Sequence, residues 1–281
     1  MGIRGAAIPF METTKSMQSA LWLCRKLGRP FGVAASGLFL LAVRLRARCV
    51  RRITTQPLLV IVPHQDDETL GCGGLIALKR RAGAPVAVVY LTDGTASHRG
   101  HPVMTPAALA TIRRAEATAA LGRLGVLPQH IHFLDGPDGA LAHLQGKDRS
   151  DLIERVAVIV RAMQPAAVAT TLRSDAHPDH EAACALAVEA LRLAGSSATL
   201  LEFPLWARWF APWENWSLLC GFAWSRVDIA EVRGAKLSAV AEFVSQLRPI
   251  PPWTTRHLRP AFVRRCTGRW EYFMGGPGGD I

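Results

Sequence analysis

The 281-residue chain has no CxxC pair among its six cysteines, at 24, 49, 72, 184, 220 and 266, and no spacing that suggests a disulfide framework or a zinc ribbon. The thiols are therefore read as reduced, small apolar groups in the packing. There is no internal repeat and no low-complexity segment. The apolar run at 31–43, FGVAASGLFLLAV, has 13 residues, short of the roughly 20 that a spanning helix needs. It also lacks the marks of a signal peptide. It starts late, and arginines stand where a small-residue cleavage site belongs. No GxGxxG opens the first strand-to-helix turn, which argues against a nucleotide-binding oxidoreductase.

Acids are scarce at the two ends. Residues 1–56 carry ten Lys or Arg against one acid, Glu12, and residues 248–281 carry six Arg against Glu271 and Asp280. The net charge of +11 therefore belongs to the flanks, and the stretch between them is slightly acidic. A nucleic-acid-binding core would show its excess in the middle, so no nucleic-acid partner is expected. The segment 1–56 has two readings. In one it is a peripheral element on an anionic membrane face, with Arg25, Lys26 and Arg29 before the apolar run and Arg44, Arg46, Arg48, Arg51 and Arg52 after it. In the other it is an ordinary helix packed on the domain. Were the run to span a bilayer, the arginines after it would favour a cytoplasmic catalytic domain, with the segment otherwise peripheral at the membrane.

From residue 57 onward the pattern is regular. Short apolar runs at 57–63, 85–91, 130–134, 166–171 and 199–203 read as buried strands, with 227–230 as a sixth. Helical spacing at 70–82, 105–124, 148–163, 179–193 and 231–247 lies between or after them. This alternation predicts an α/β fold, a Rossmann-like, mostly parallel sheet with helices on both faces. The predicted organisation is a basic segment at 1–56, a catalytic domain at 57–248 and an irregular Pro/Arg-rich tail at 249–281.

Chemistry concentrates at two strand ends. The first strand runs into His64-Gln65-Asp66-Asp67-Glu68, and the fourth into Asp175-Ala176-His177-Pro178-Asp179-His180-Glu181. Adjacent acids repel without a cation, and imidazole with carboxylate suits zinc, so the first cluster points to a metal. In strand order 3-2-1-4-5, both clusters meet in the crevice where open sheets bind ligands. Taken alone, the acids of the first turn could be a capping cluster at a helix start.

The stretch PHQDDETLG followed by HPDHEAA resembles the LmbE-like, or PIG-L-type, family of zinc-dependent N-acetylglucosaminyl deacetylases. The likeness runs from about 57 to 248 and includes Thr92-Asp93-Gly94, Arg113-x-x-Glu116, Pro137-Asp138-Gly139, Lys236 and Ser245-Gln246. It implies His64, Asp67 and His180 as zinc ligands, Asp66 as general base and a protonated His177 as acid and oxyanion partner, oriented by Asp179. It places Arg113 and Asp138 at sugar hydroxyls. The implied reaction is attack of a metal-acidified water on the amide carbonyl of an amino-sugar conjugate, releasing acetate. Gln65 departs from the family's usual proline, and a small effect on turn rigidity is expected. Ligand types alone admit another divalent ion in place of zinc.

Other readings stay open on the sequence. The substrate could be a non-sugar N-acyl compound, or the domain could be a catalytically silent glycan or lipid binder. Arg113 could pair with Glu116 on a helix surface, and Asp138 could be an ordinary turn aspartate. Glu68 reads as a helix-start acid and not as a ligand. His98 and His101 read as residues of a surface loop, and Cys72 as packing. Five tryptophans, at 206, 209, 213, 216 and 224, could be core, a sugar-stacking surface or a membrane belt.

Overall fold

The computed structural model describes residues 29–209, 218–219, 221–275 and 281, with side chains from residue 37 onward. Trp213, Trp216, Cys24 and Cys220 lie outside the described residues. The described elements are α1 (Arg29–Arg46), β1 (Arg48–Cys49), β2 (Leu58–Val62), α2 (Asp67–Arg81), β3 (Val86–Thr92), α3 (Pro106–Arg123), β4 (Ile131–Gly136) and α4 (Gly146–Met163). They continue with β5 (Ala167–Thr171), α5 (Pro178–Leu193), β6 (Thr199–Phe203), β7 (Trp224–Asp228), α6 (Arg233–Ala241), α7 (Val244–Leu247), α8 (Pro260–Cys266) and β8 (Trp270–Met274).

Eight strands form one sheet in the order β1-β7-β8-β6-β5-β2-β3-β4. All pairings are parallel except those of β8, which is antiparallel to both neighbours. The expected α/β class holds, and so does the order of the five central strands. The sequence of β2, LLVIV, explains the layering. Leu58, Val60 and Val62 point into one core with Leu75 and Ile76 of α2 and Leu121 of α3. Leu59 and Ile61 point into the other, with Val156 and Val160 of α4 and Leu186 and Ala190 of α5. A strand buried on both faces has apolar residues at every position, and each such side chain contributes roughly 1.5–3 kcal/mol. Helices therefore cover both faces, and the chain leaving β2 turns one way while β5 lies on the other side.

The expected irregular tail does not hold. Its last strand, β8, lies inside the sheet between β7 and β6, and α8 packs Phe262 and Cys266 into the core of α2. The expected helix at 231–247 is two helices, α6 and α7, and the sixth strand starts earlier, at Trp224. The apolar run of α1 packs Phe39 and Val43 against Trp224, Tyr272 and Met274. No described helix is long and apolar enough to cross a membrane.

Helix α2 carries its glycines for closeness. A Cβ on Gly71 would lie 2.2 Å from the Phe203 ring, and one on Gly74 would lie 2.4 Å from Ile229. Both partners are buried, so neither can move aside cheaply. Gly71→Ala is expected to cost about 1–3 kcal/mol by overpacking, read as a lowered urea midpoint with unchanged slope. An unchanged midpoint would show that Phe203 yields freely.

Candidate metal and active site

The turn after β2 and the turn before α5 meet at the carboxyl edge of the sheet. The rings of His64, His177 and His180 lie within 4.6–5.5 Å of one another, centroid to centroid. Ligand atoms of His64, Asp67 and His180 all fall within 4.8 Å of each other. Asp67 Oδ2 accepts from the His64 backbone N–H at 3.0 Å and faces His64 Nδ1 at 3.1 Å, while Asp67 Oδ1 is 3.5 Å from His180 Nε2. Burial pushes Asp67 up, but His180 and the bonds from His64 outweigh it and hold the carboxyl well below its usual range.

A divalent cation fits this trio. His180 is wholly buried, and its Nε2 has no hydrogen-bond partner. Its other nitrogen, Nδ1, lies 2.7 Å from Asp175 Oδ2. With Nδ1 donating there, the lone pair is left on Nε2, the tautomer that a metal needs. Asp175 is itself buried and accepts from the amides of Leu205, Trp206 and Ala207 at 2.8–3.0 Å. The next residue, Ala176, sits at φ 59°, a left-handed conformation that costs an L residue about 1–2 kcal/mol. Sequence reasoning assigned no role to Asp175. Its signal was its place as the leading acid of the second cluster.

A second trio, His64 with Asp138 and Asp179, also has donor atoms within 4.8 Å. His64 Nε2 lies 3.0 Å from Asp138 Oδ1 and 3.3 Å from Asp179 Oδ2. Both carboxylates also accept from backbone amides. Asp138 accepts from the Ala96 amide, and Asp179 from those of Gly139 and Leu141. The first trio, with its unpartnered buried nitrogen, is the better cation site. Asp179, expected to orient His177, is turned instead to His64 and these amides. The His177 Nδ1 has no hydrogen-bond partner. Burial first, then the neighbouring His180 and His64, press its pKa down to about 3, which disfavours the protonated ring.

Asp66 is buried beside the trio. Burial pushes its pKa up to about 7, against the pull of the Arg113 guanidinium 3.4 Å away. Arg113 is buried on α3 and donates to the carbonyls of Gly94 at 2.8 Å and Gln65 at 3.0 Å. It does not pair with Glu116, which accepts from the backbone and hydroxyl of Ser245. Arg114, the next residue along, lies outside the site against Asp135 and Phe133. Gln65 replaces the rigidity of a proline with a tie to β3, donating to the Thr92 carbonyl at 2.6 Å. Glu68 is fully buried beside the Thr69 hydroxyl, burial pushes its pKa up to about 8, and it belongs to neither group of converging ligand atoms.

A cavity of about 150 Å³ opens on these groups, with His64, Asp66, Asp67, Arg113, Asp138 and His177 on its polar side. Trp206 closes the apolar side, its ring parallel to His177 at 6.2 Å and stacked on Phe262 at 4.9 Å. The tryptophans thus divide: Trp206 faces the site, Trp209 packs edge-on to Phe262, and Trp224 is core against Phe39. His98 and His101 are not surface-loop residues. Both are buried, with Trp253 stacked on His98 and tilted against His101.

Comparison with known proteins bears on this arrangement. The profile of the PIG-L family, GlcNAc-PI de-N-acetylase, matches residues 59–191. A 1D-myo-inositol 2-acetamido-2-deoxy-alpha-D-glucopyranoside deacetylase of Saccharopolyspora erythraea is 32% identical over 181 residues, covering 57% of this chain and 65% of its own length. A deacetylase of that substrate from Streptomyces avermitilis is 30% identical over 215 residues, covering 65% and 70%. The solved N,N'-diacetylchitobiose deacetylase of Pyrococcus horikoshii superposes with a TM-score of 0.59 at 25% identity, over 79% of this chain and 84% of its own. The chain spans from 46% to 70% of the length of the curated relatives it matches.

Proposed function

Because the chain belongs to the PIG-L, or LmbE-like, family of de-N-acetylases, we propose that it is a zinc-dependent hydrolase that removes the N-acetyl group from an N-acetylglucosamine-type sugar conjugate. The observation that carries this reading is the convergence of His64, Asp67 and His180, with an unpartnered buried nitrogen on His180, from turns about 110 positions apart. When bound there, zinc or another divalent ion supplies Lewis-acid polarisation of the amide carbonyl and acidifies a water. Asp66, poised near neutrality, accepts the proton of the attacking water. Arg113 braces the Asp66 carboxylate and the backbone of its turn. Neutral His177 donates a hydrogen bond to the developing oxyanion. It then relays the proton that Asp66 has taken to the leaving nitrogen, its ring held beside Trp206. Asp138, which lines the cavity, accepts from a sugar hydroxyl in this reading. The products are acetate and a free amino sugar.

Acetate release by purified full-length protein, across N-acetylglucosamine conjugates and N-acyl polyamines, tests the assignment. Release from the sugar conjugates is expected, with loss of at least about 100-fold on chelation and recovery on adding zinc. Release from the non-sugar amides alone would replace the sugar reading with a general metal amidase. Turnover that survives complete metal removal would end the metal-dependent reading.

The reading extends to contact of residues 1–56 with an anionic membrane face. Helix α1 buries Phe39 and Val43 yet leaves Leu38, Leu41 and Leu45 59%, 50% and 77% exposed, beside exposed Arg44 and Arg46. An apolar stripe flanked by arginines suits a peripheral lipid contact. The full chain is expected to float with phosphatidylserine vesicles, and Leu41→Asp with Leu45→Asp to stay at the bottom of the gradient. Equal partitioning of the two proteins removes the membrane contact.

A further inference from the structure

A second cavity, of about 560 Å³, joins the first along Ser97 and His257, which line both. Its wall is the segment 253–260 of the tail, with Trp253, Thr255, Arg256, His257 and Arg259 facing the loop that holds His98. No acidic side chain lines it. Arg256 and Arg259 are exposed and take part in no ion pair among the described residues.

The wall is held in place. Trp253 stacks on His98 at 5.7 Å with the rings 12° from parallel, and lies 4.7 Å from His101. His101 ties the two segments together. Its Nε2 lies 3.1 Å from the Ile250 carbonyl and its Nδ1 accepts from the amides of Val103 and Met104. Leu258 is buried and its amide donates to the Gln246 carbonyl at 2.9 Å. Two guanidiniums without an ion-pair partner among the described residues, on a braced wall that adjoins the first cavity, define a cationic extension of the site.

We propose that this groove binds an anionic group, phosphate or carboxylate, on the part of the substrate beyond the sugar, with Arg256 and Arg259 as its specificity-determining residues. The assignment rests on the deacetylase reading for the identity of the sugar, but the groove's charge preference does not depend on turnover. Arginine suits such a group because its planar fork matches a carboxylate or a phosphate.

The test is calorimetric binding to the full-length protein of three probes: N-acetylglucosamine 1-phosphate, a carboxymethyl N-acetylglucosaminide and the neutral methyl N-acetylglucosaminide. The anionic probes are expected to bind roughly tenfold more tightly than the neutral one at low salt, with the preference shrinking as salt rises. Arg256→Gln with Arg259→Gln is expected to bring the three affinities together, whereas Arg123→Gln, far from the groove, keeps the preference. Whichever anion is preferred identifies the group. Equal binding of all three probes by the parent protein, or a preference that survives in the double variant, overturns the proposal. Acetate release measured on the same mixtures reads the deacetylase assignment separately. A charge preference without acetate sinks the enzyme and leaves the groove, and acetate without a preference does the reverse.

Discussion

Asp66→Asn is expected to lower turnover by roughly 10²–10⁴-fold while the protein still binds one metal ion. The factor is that of a general base removed from a positioned site. The amide has the shape of the carboxylate and can still accept from Arg113, 3.4 Å away, so the turn and its neighbour Asp67 keep their places. Only the proton-accepting power is lost. Metal stoichiometry by mass spectrometry and acetate release on the same preparation make the check. Retained turnover would move the base elsewhere, and loss of the metal together with activity would mean that Asp66 holds the site's shape instead of the proton.

Glu271→Ala is expected to cost about 3–5 kcal/mol, the magnitude for stranding one member of a buried ion pair. Glu271 is fully buried on β8 and sits where α2 breaks its regular geometry, at Cys72 with φ −138°. The Gly74 and Leu75 amides beyond the break donate to the two oxygens of Glu271 at 2.7 and 2.8 Å. The Leu70 carbonyl, the regular helical partner of the Gly74 amide, accepts instead from Lys236 Nζ at 2.9 Å, and Lys236 closes the circuit onto Glu271 at 2.6 Å. An ion pair from α6 and β8 thus bridges the helix break, shortly after Asp67, the proposed metal ligand. Removing the carboxylate leaves Lys236 charged and unpaired in the core, with two amides unsatisfied. Denaturant melts compare the parent with Glu271→Ala and with the paired change Lys236→Met and Glu271→Leu. The paired change is expected to recover much of the loss, because no charge is stranded. A single variant as stable as the parent would show that the pair is dispensable.

The chain's reach beyond its motifs changes what the tail is for. Residues 249–281 supply an inner strand of the sheet, the clamp at the α2 break and the cationic groove wall. The helix that packs Phe262 under Trp206 comes from the same stretch. The active-site region is assembled from both the family core and this tail.

The sequence by itself determined the strand-helix alternation and the chemical identity of the two histidine-acid turns. These are written locally: period in the apolar residues, caps and glycines at the ends, and ligand types within a few positions of one another. Only the tertiary structure decided that β8 enters the sheet, that Asp175 and not Asp179 faces a ring nitrogen of the second cluster, that Arg113 braces Asp66, and that His98 and His101 lie buried under Trp253. A five-residue antiparallel strand among prolines and arginines has too short a period to stand out. Which carboxylate meets which imidazole depends on side-chain direction across a crevice, and that is set by packing between segments far apart in the chain.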